Sequence, residues 1–332
     1  MKIGIFVSFN ETGGSLNQTL GFAKLINKLK INKNDQLCII SDKKINSKDY
    51  FDENIELYHF KKTLFDKIKF FIFGFLKKNK YYFIKITNPF QKFLKKNKVD
   101  LLIFSNPSYY SLYCDDIHFA LNIWNTEIKK YKDFKEFKAG GYNYQKKIIE
   151  NAVENAFKII VFTEKNRLDL ITEFNCKSED IKILNLTPIL PKKYEKIKEN
   201  NFSEIFSKFN FDKNKKWFFY PSQFWSHKNH IYLLDVLKEI EDENLNSIGF
   251  IFCGGDKGNL NYIKNKIKDY KLENHIKVIG HISDEELISI YKYCDAITIP
   301  TYLGRSSLPL LEGIYFNKKI SRATLQKKRY GF

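Results

Sequence analysis

The stretch Pro300-Thr301-Tyr302-Leu303-Gly304-Arg305-Ser306-Ser307-Leu308-Pro309-Leu310-Leu311-Glu312-Gly313 decides the fold. An apolar run at 296–300 leads into it with strand character, small residues turn the chain, and a leucine-rich segment opens on Pro309. Proline suits a first helical position because its missing N–H would be unpaired there anyway. Amides at such a helix start can hold phosphate oxygens. Glu312, one turn in, carries a carboxylate able to accept hydrogen bonds from a ribose diol. On its own it would be an ordinary surface glutamate; its place behind Leu308-Pro309-Leu310-Leu311 is what makes it informative.

Working outward, the same alternation repeats. Strand patterns at 217–220, 247–254, 276–280 and 296–300 interleave with helical patterns at 229–240, 259–270, 284–293 and 309–316. Ser283 and Glu286 make a capping box at the third of these helices. Strand–helix repetition at this spacing predicts a parallel, doubly wound sheet with ligands beyond the carboxyl ends of its strands. The amino-terminal half shows the pattern too. A strand is expected at 2–9, a loop at 10–14 and a helix at 15–29, where Ser15 and Gln18 form a capping pair and Leu16, Leu20, Ala23, Ile26 and Leu29 share a face. Further strands are expected at 37–41, 101–105 and 158–162, and a long helix at 142–156. Thr187-Pro188-Ile189-Leu190-Pro191 and the charged run after it read as a linker, dividing the chain into domains at 1–190 and 191–332.

Two other turns join a strand to a helix. Pro221-Ser222-Gln223-Phe224-Trp225-Ser226-His227-Lys228-Asn229-His230 places a lysine where it can meet a diphosphate as a point charge. The bland alternative is one more solvent lysine in a lysine-rich chain. His227 and His230 stand three apart, but with no H-E-x-x-H and no acidic cluster nearby a metal is not expected. Asn10-Glu11-Thr12-Gly13-Gly14-Ser15 lets the backbone come close to a ligand. It lacks the G-x-G-x-x-G form, which argues against a dinucleotide, and a Gly-Gly turn is as readily structural.

Composition narrows the partners. The chain has 332 residues, 43% of them hydrophobic, with 56 Lys and Arg against 38 Asp and Glu and a formal charge of +18. Arginine occurs only at Arg167, Arg305, Arg322 and Arg329, so the bidentate forks that nucleic-acid grooves favour are scarce, and no nucleic-acid partner is expected. Cys38, Cys114, Cys176, Cys253 and Cys294 show no paired spacing, which fits buried thiols in a cytoplasmic setting. The apolar run Phe70-Phe71-Ile72-Phe73-Gly74-Phe75-Leu76, flanked by lysines, is too short to cross a bilayer. Two readings stay open: a core-facing helix with snorkelling lysines, or a peripheral contact with an anionic membrane on its inner, cytoplasmic face.

Taken in order and spacing, segments 220–230, 252–260, 278–287 and 300–312 resemble retaining GT-B glycosyltransferases of family 4 (glycosyl transferases group 1), a resemblance covering residues 1 to about 320. It implies two Rossmann-like domains, the first on the acceptor side and the second binding a nucleotide sugar. By resemblance Lys228 would neutralise the donor diphosphate and Glu312 would hold the ribose, the two carrying catalysis. Gly280-His281-Ile282 would present backbone to the base, with His281 among the donor contacts, together with Gln223, Ser307 and Leu308. Gly13, Gly14 and Ser15 would face the donor or acceptor sugar. No metal or other cofactor is implied, because lysine and helix amides take that role.

The sequence departs from the family pattern in three places. Gln223 stands where many relatives have arginine, and Gly304 stands where the first glutamate of E-x7-E would fall. In Ile123-Trp124-Asn125-Thr126-Glu127-Ile128, relatives often show Trp-Asp and a histidine; His118, Asn125 and Glu127 are the remaining candidates for sugar or acceptor contacts. After Ile320 the pattern stops, residues 321–332 reading as unpatterned basic sequence. This predicts a second domain incomplete at its carboxyl end, through truncation or frameshift. The expected function is transfer of a sugar, with retention, from a nucleoside-diphosphate sugar to a glycan or lipid-linked acceptor, in surface polysaccharide synthesis. The rival expectation is a non-catalytic remnant that binds nucleotide weakly or not at all.

Overall fold

Along β1 (Lys2–Val7), alternate side chains enter opposite cores: Ile5 and Val7 pack with Ile39, Phe22 and Phe162, whereas Phe6 packs with Cys38, Ile40, Leu102 and Phe104. Residues two apart share a face of a strand, so a run that is apolar throughout must be covered on both sides. In this computed structural model that holds for both halves of the chain. The structure describes residues 1–8, 14–27, 34–44, 51, 55–78, 88–138, 140–184, 202–240, 245–303 and 308–322. The expected linker at 187–191 lies outside them.

Two units emerge, Met1–Lys130 with Gly140–Ile189, and Tyr131–Ala139 with Leu190–Phe332. The first holds β1, β2 (Gln36–Ser41), β3 (Glu56–His59), β4 (Leu101–Phe104), β5 (His118–Asn122), β6 (Lys158–Val161) and β7 (Ile181–Ile183). They form one sheet in the order β3-β2-β1-β4-β5-β6-β7, with every pairing parallel. Helices Gly14–Asn27, Leu64–Lys78, Pro89–Lys96, Gly141–Asn155 and Glu164–Phe174 supply crossovers. Asn88 opens one of them, its side chain accepting from the Gln91 amide ahead of Pro89.

The second unit holds β8 (Lys216–Pro221), β9 (Ile248–Cys253), β10 (Ile276–Gly280), β11 (Ala296–Ile299) and β12 (Lys319–Arg322), ordered β10-β9-β8-β11-β12 and again parallel. Trp217, Phe219, Ile251 and Ile297 fill one core, and Tyr220, Phe250, Phe252 and Ile276 fill the other. Each of these large side chains contributes about 1.5–3 kcal/mol when removed from water. Gly249 in β9 is required by the neighbouring strand: a Cβ there would lie 2.4 Å from the Trp217 ring. The capping box expected from Ser283 and Glu286 is present at helix Asp284–Tyr293.

Both orders reverse direction once, between β1 and β4 and between β8 and β11, as in Rossmann-like folds, where the strand ends at the reversal leave a crevice. One expectation is corrected at the carboxyl end. The patterned chain does not stop at Ile320, because Ser321 and Arg322 continue β12 opposite Thr298 and Ile299. Those two polar residues are exposed on an edge strand, so they leave no apolar signal in the sequence. Residues 323–332 lie outside the described structure.

Candidate functional site

The reversal of the second sheet brings together the loops that leave β8 and β11. Loop 222–229 leaves β8 beside the β9 loop: Ser222 N–H donates to the Cys253 carbonyl at 2.7 Å, and Phe224 N–H donates to Gly255 at 3.0 Å. The approach is so close that a Cβ on Gly254 would fall 2.4 Å from the Ser222 carbonyl oxygen. Ser226–Lys228 then forms a single 3-10 turn, pinned from below by the Tyr220 hydroxyl, which donates to the Lys228 carbonyl at 2.7 Å.

Asn229 closes the loop in the left-handed region, at φ 57°, which asparagine tolerates better than most residues. Its side-chain amide donates across to the Pro300 carbonyl at 3.1 Å. The His227 carbonyl receives the Tyr302 amide at 2.9 Å and the Thr301 hydroxyl at 3.2 Å. Segments 226–229 and 300–303 are therefore tied by three hydrogen bonds.

Lys228 is half-buried, and burial pushes its ammonium down to about 8, with Glu136 working in the opposite direction. Among the described residues no carboxylate forms an ion pair with it. His230 is fully buried between Phe224 and Tyr220, with ring centroids at 4.4 and 4.7 Å, and burial pushes it down to about 3. Its ring is a neutral core plate. Among the described residues no group of three or more His, Cys, Asp or Glu is gathered as metal ligands would be.

Glu312 sits in the helix Leu308–Tyr315 that follows the β11 loop. It is buried and accepts a hydrogen bond from the Tyr291 hydroxyl, while Tyr291 stacks edge-on against Phe219 of β8 at 5.1 Å. Burial raises its carboxyl above the usual range, and the Tyr291 bond opposes that shift. Leu308 is the first residue of the same helix, and His281 is exposed just past β10, after Gly280 at φ 70°. Gln223 accepts the Trp225 indole N–H at 3.1 Å, so a neutral contact within the loop replaces the arginine expected of relatives. Ser307 and Gly13 lie outside the described residues; Gly14 and Ser15 open the helix Gly14–Asn27, their side chains also outside the description.

His118, Asn125 and Glu127 of the first unit are distributed differently. His118 is exposed at the amino end of β5, the far end from the edge where open sheets take ligands. The Asn125 side-chain oxygen Oδ1 accepts the Glu127 backbone N–H at 3.2 Å. Glu127 is buried and faces Lys130 at 3.8 Å, a lysine that also lies 3.6 Å from Asp169 and 3.5 Å from Glu173. Glu127 thus belongs to a charge network inside the first unit.

One residue of the site escaped the sequence reading. Glu136, in segment Tyr131–Ala139 of the second unit, accepts the His227 backbone N–H at 3.0 Å and also bonds its ring Nδ1. Burial opposes ionisation of Glu136, but the bonds from His227 outweigh it and hold the carboxyl below its ordinary value. The two residues are separated by 91 positions, and no local pattern marks the pair.

Residues 201–320 match the family described as Glycosyl transferases group 1. A comparison with curated proteins found no match. Among solved structures, the chain is similar to Anabaena Alr3699/HepE in complex with UDP and glucose (12% identity, TM-score 0.64, covering 96% of this chain and 80% of that one). It is also similar to WaaG, a glycosyltransferase involved in lipopolysaccharide biosynthesis (11%, TM-score 0.65, 97% and 80%). A third similar structure is the sucrose-phosphate synthase of Thermosynechococcus elongatus (13%, TM-score 0.66, 97% and 80%). At these identities the likeness is one of fold, and the fold is GT-B, with two Rossmann-like units.

Proposed function

We propose, from a glycosyl transferases group 1 segment at residues 201–320, that the chain transfers a sugar from a nucleoside-diphosphate sugar to a glycan or lipid-linked acceptor with retention, in surface polysaccharide synthesis. The observation that carries this reading is the tie between loops 226–229 and 300–303 at the reversal of the second sheet, with the Lys228 ammonium in the turn. In a retaining transfer the bond from the anomeric carbon to the diphosphate breaks and the acceptor oxygen bonds to that carbon on the same face. Charge gathers on the leaving phosphate, where a preorganised cation acts most strongly.

In this reading Lys228 neutralises that charge and the backbone around Gly280-His281 faces the base. Glu312 receives the ribose diol, exchanging or sharing the Tyr291 hydroxyl. No metal takes part, and Gln223 contacts the donor through its neutral amide. Similar structures carrying UDP and glucose support a nucleotide sugar as donor.

The acceptor side of the reading includes an anionic membrane. On helix Leu64–Lys78 the side chains of Leu64, Phe65, Ile68, Phe71 and Ile72 are exposed, alongside exposed Lys61, Lys62, Lys67 and Lys69, whereas Phe70 turns into the core. Apolar groups with lysines around them suit the boundary between headgroups and acyl chains. Among the described residues no helix is long and apolar enough to cross a membrane.

Calorimetry with a panel of nucleotide sugars, followed by assay of nucleoside diphosphate released on adding acceptors, tests the proposal. Binding with turnover supports it; binding without turnover, or binding of no member of the panel, overturns it in favour of the remnant.

A further inference from the structure

The segment Tyr131–Ala139 reaches the candidate phosphate site from a distant part of the sequence. Phe134 starts it with a tight turn, its carbonyl receiving the amides of Phe137 at 2.9 Å and Lys138 at 3.2 Å, and Phe137 is buried. The rings of Tyr131 and Phe134 lie against Tyr302 of the β11 loop at 6.2 and 5.5 Å, and Phe134 also meets the edge of His227 at 6.4 Å. Between these contacts, one carboxylate oxygen of Glu136 takes both the backbone N–H and the ring Nδ1 of His227. The residue after His227 is Lys228, so the bonds that fix His227 also fix the start of the lysine side chain.

Charge follows the same geometry. Among the described residues, the ionisable groups around Lys228 are His227 and His230 on its own loop, Glu136 on the incoming segment, and Tyr220 of β8, whose hydroxyl bonds the Lys228 carbonyl. Burial holds His227 below its ordinary value, despite the opposing bond to Glu136, and His230 further below. Both rings are therefore predominantly neutral at pH 7 and above, and burial pushes the Tyr220 phenol well above its ordinary value, so it is neutral there too. That leaves Glu136 as the anion opposite Lys228 among the described residues.

We propose that Glu136 is a positioning residue for Lys228: its carboxylate anchors the Ser226–Lys228 turn through His227 and supplies the negative charge opposite the half-buried ammonium. The role rests on the reading of Lys228 as the diphosphate ligand. A cation taken out of water without a counter-charge gives up its proton more readily. Glu136 keeps the proton on Lys228 before the ligand arrives, and the diphosphate takes over that duty when bound.

The test is UDP binding by calorimetry from pH 7 to 9 on wild type and on Glu136→Gln, Glu136→Asp and Lys228→Ala, the ionisation of UDP itself being common to all four proteins. Wild-type affinity should fall as pH rises through about 8, where Lys228 loses its proton. In Glu136→Gln that fall should move to lower pH by roughly half a unit or more, the effect of losing one nearby opposite charge. Glu136→Asp keeps the charge, so its midpoint should stay near wild type even where the shorter side chain lowers affinity. A merely structural glutamate would change affinity equally at every pH. An unmoved midpoint in Glu136→Gln, with Lys228→Ala still weak, overturns this proposal and leaves the reading of Lys228 standing. Equal UDP affinity in wild type and Lys228→Ala overturns that reading, and the role of Glu136 with it.

Discussion

The side-chain amide of Asn229 donates to the carbonyl oxygen of Pro300 at 3.1 Å, joining the loops that follow β8 and β11. Asn229 is buried and adopts φ 57°. One residue thus satisfies two demands, a left-handed backbone at a helix entrance and a donor for a buried carbonyl. Asn229→Ala should destabilise the second unit by about 1–3 kcal/mol, the cost of an orphaned carbonyl and a strained alanine. Asn229→Gly relieves the strain but not the lost bond, so it should lose less. Urea unfolding of the three proteins checks the order; equal stability of Ala and Gly variants would count against the backbone part of the argument.

Lys228 couples stability to pH in a defined direction. Its folded value of about 8 lies below the ordinary 10.5, so between those limits the unfolded chain binds more protons than the folded one. The contribution is fully present above 10.5 and is lost as pH falls through about 8. Relative to Lys228→Met, the wild type should therefore gain thermal stability as pH rises across this window. Melting temperatures of both proteins from pH 7 to 10.5 give the difference directly, and a flat difference refutes the depressed lysine.

Nucleotide binding offers a separate check on the two assigned groups. Lys228→Ala and Glu312→Ala should each weaken binding of a nucleoside diphosphate by at least about tenfold, the scale of one charge-assisted hydrogen bond in a partly buried site. Tyr291→Phe removes the hydroxyl that Glu312 accepts and should raise the Glu312 carboxyl further, since burial then acts unopposed. Calorimetry at pH 7 reads the first two effects, and unchanged affinity in both would remove the site assignment.

Gly254 has no room for a side chain because its neighbour is backbone. A Cβ would stand 2.4 Å from the Ser222 carbonyl oxygen and 2.7 Å from the Gln223 amide nitrogen. Gly254→Ala should cost about 1–3 kcal/mol and move loop 222–229 away from β9. Loss of UDP binding with the circular-dichroism spectrum retained is the expected outcome.

On the exposed face of helix Leu64–Lys78, Phe65→Ser with Phe71→Ser should leave folding intact, since both rings are about three-quarters exposed. Binding to vesicles containing anionic lipid should fall at least tenfold, because burying each ring contributes about 1.5–3 kcal/mol. Unaltered sedimentation with such vesicles would refute the membrane contact.

Strands with residues buried on both faces were legible because nothing else explains runs such as 217–220 and 296–300, and the capping box at Ser283 named its own helix. β3, β5 and β7 were not legible. Glu56–His59 has only half-buried apolar groups, His118–Asn122 begins and ends on polar residues, and Ile181–Ile183 is three residues long. Short segments of this kind become strands because a neighbouring edge offers them hydrogen bonds, a cause external to their own pattern. Helix Leu64–Lys78 was recognised as apolar, but which side chains meet the core depended on Phe60, Tyr110 and Tyr113 packing around Phe70.

The amino-acid order alone determined the alternation of strands and helices, the two doubly wound sheets, and Lys228 and Glu312 as candidates at strand-to-helix turns. All of these depend on periodicity and on neighbours within a few positions. Tertiary structure alone decided that Glu136 reaches His227, that Asn229 ties down Pro300, and that the buried Glu127 is absorbed into the charge network around Lys130. Ionisation of a lysine depends on what lies within a few ångströms in space. Chain separation carries no information about that distance until the sheets have formed.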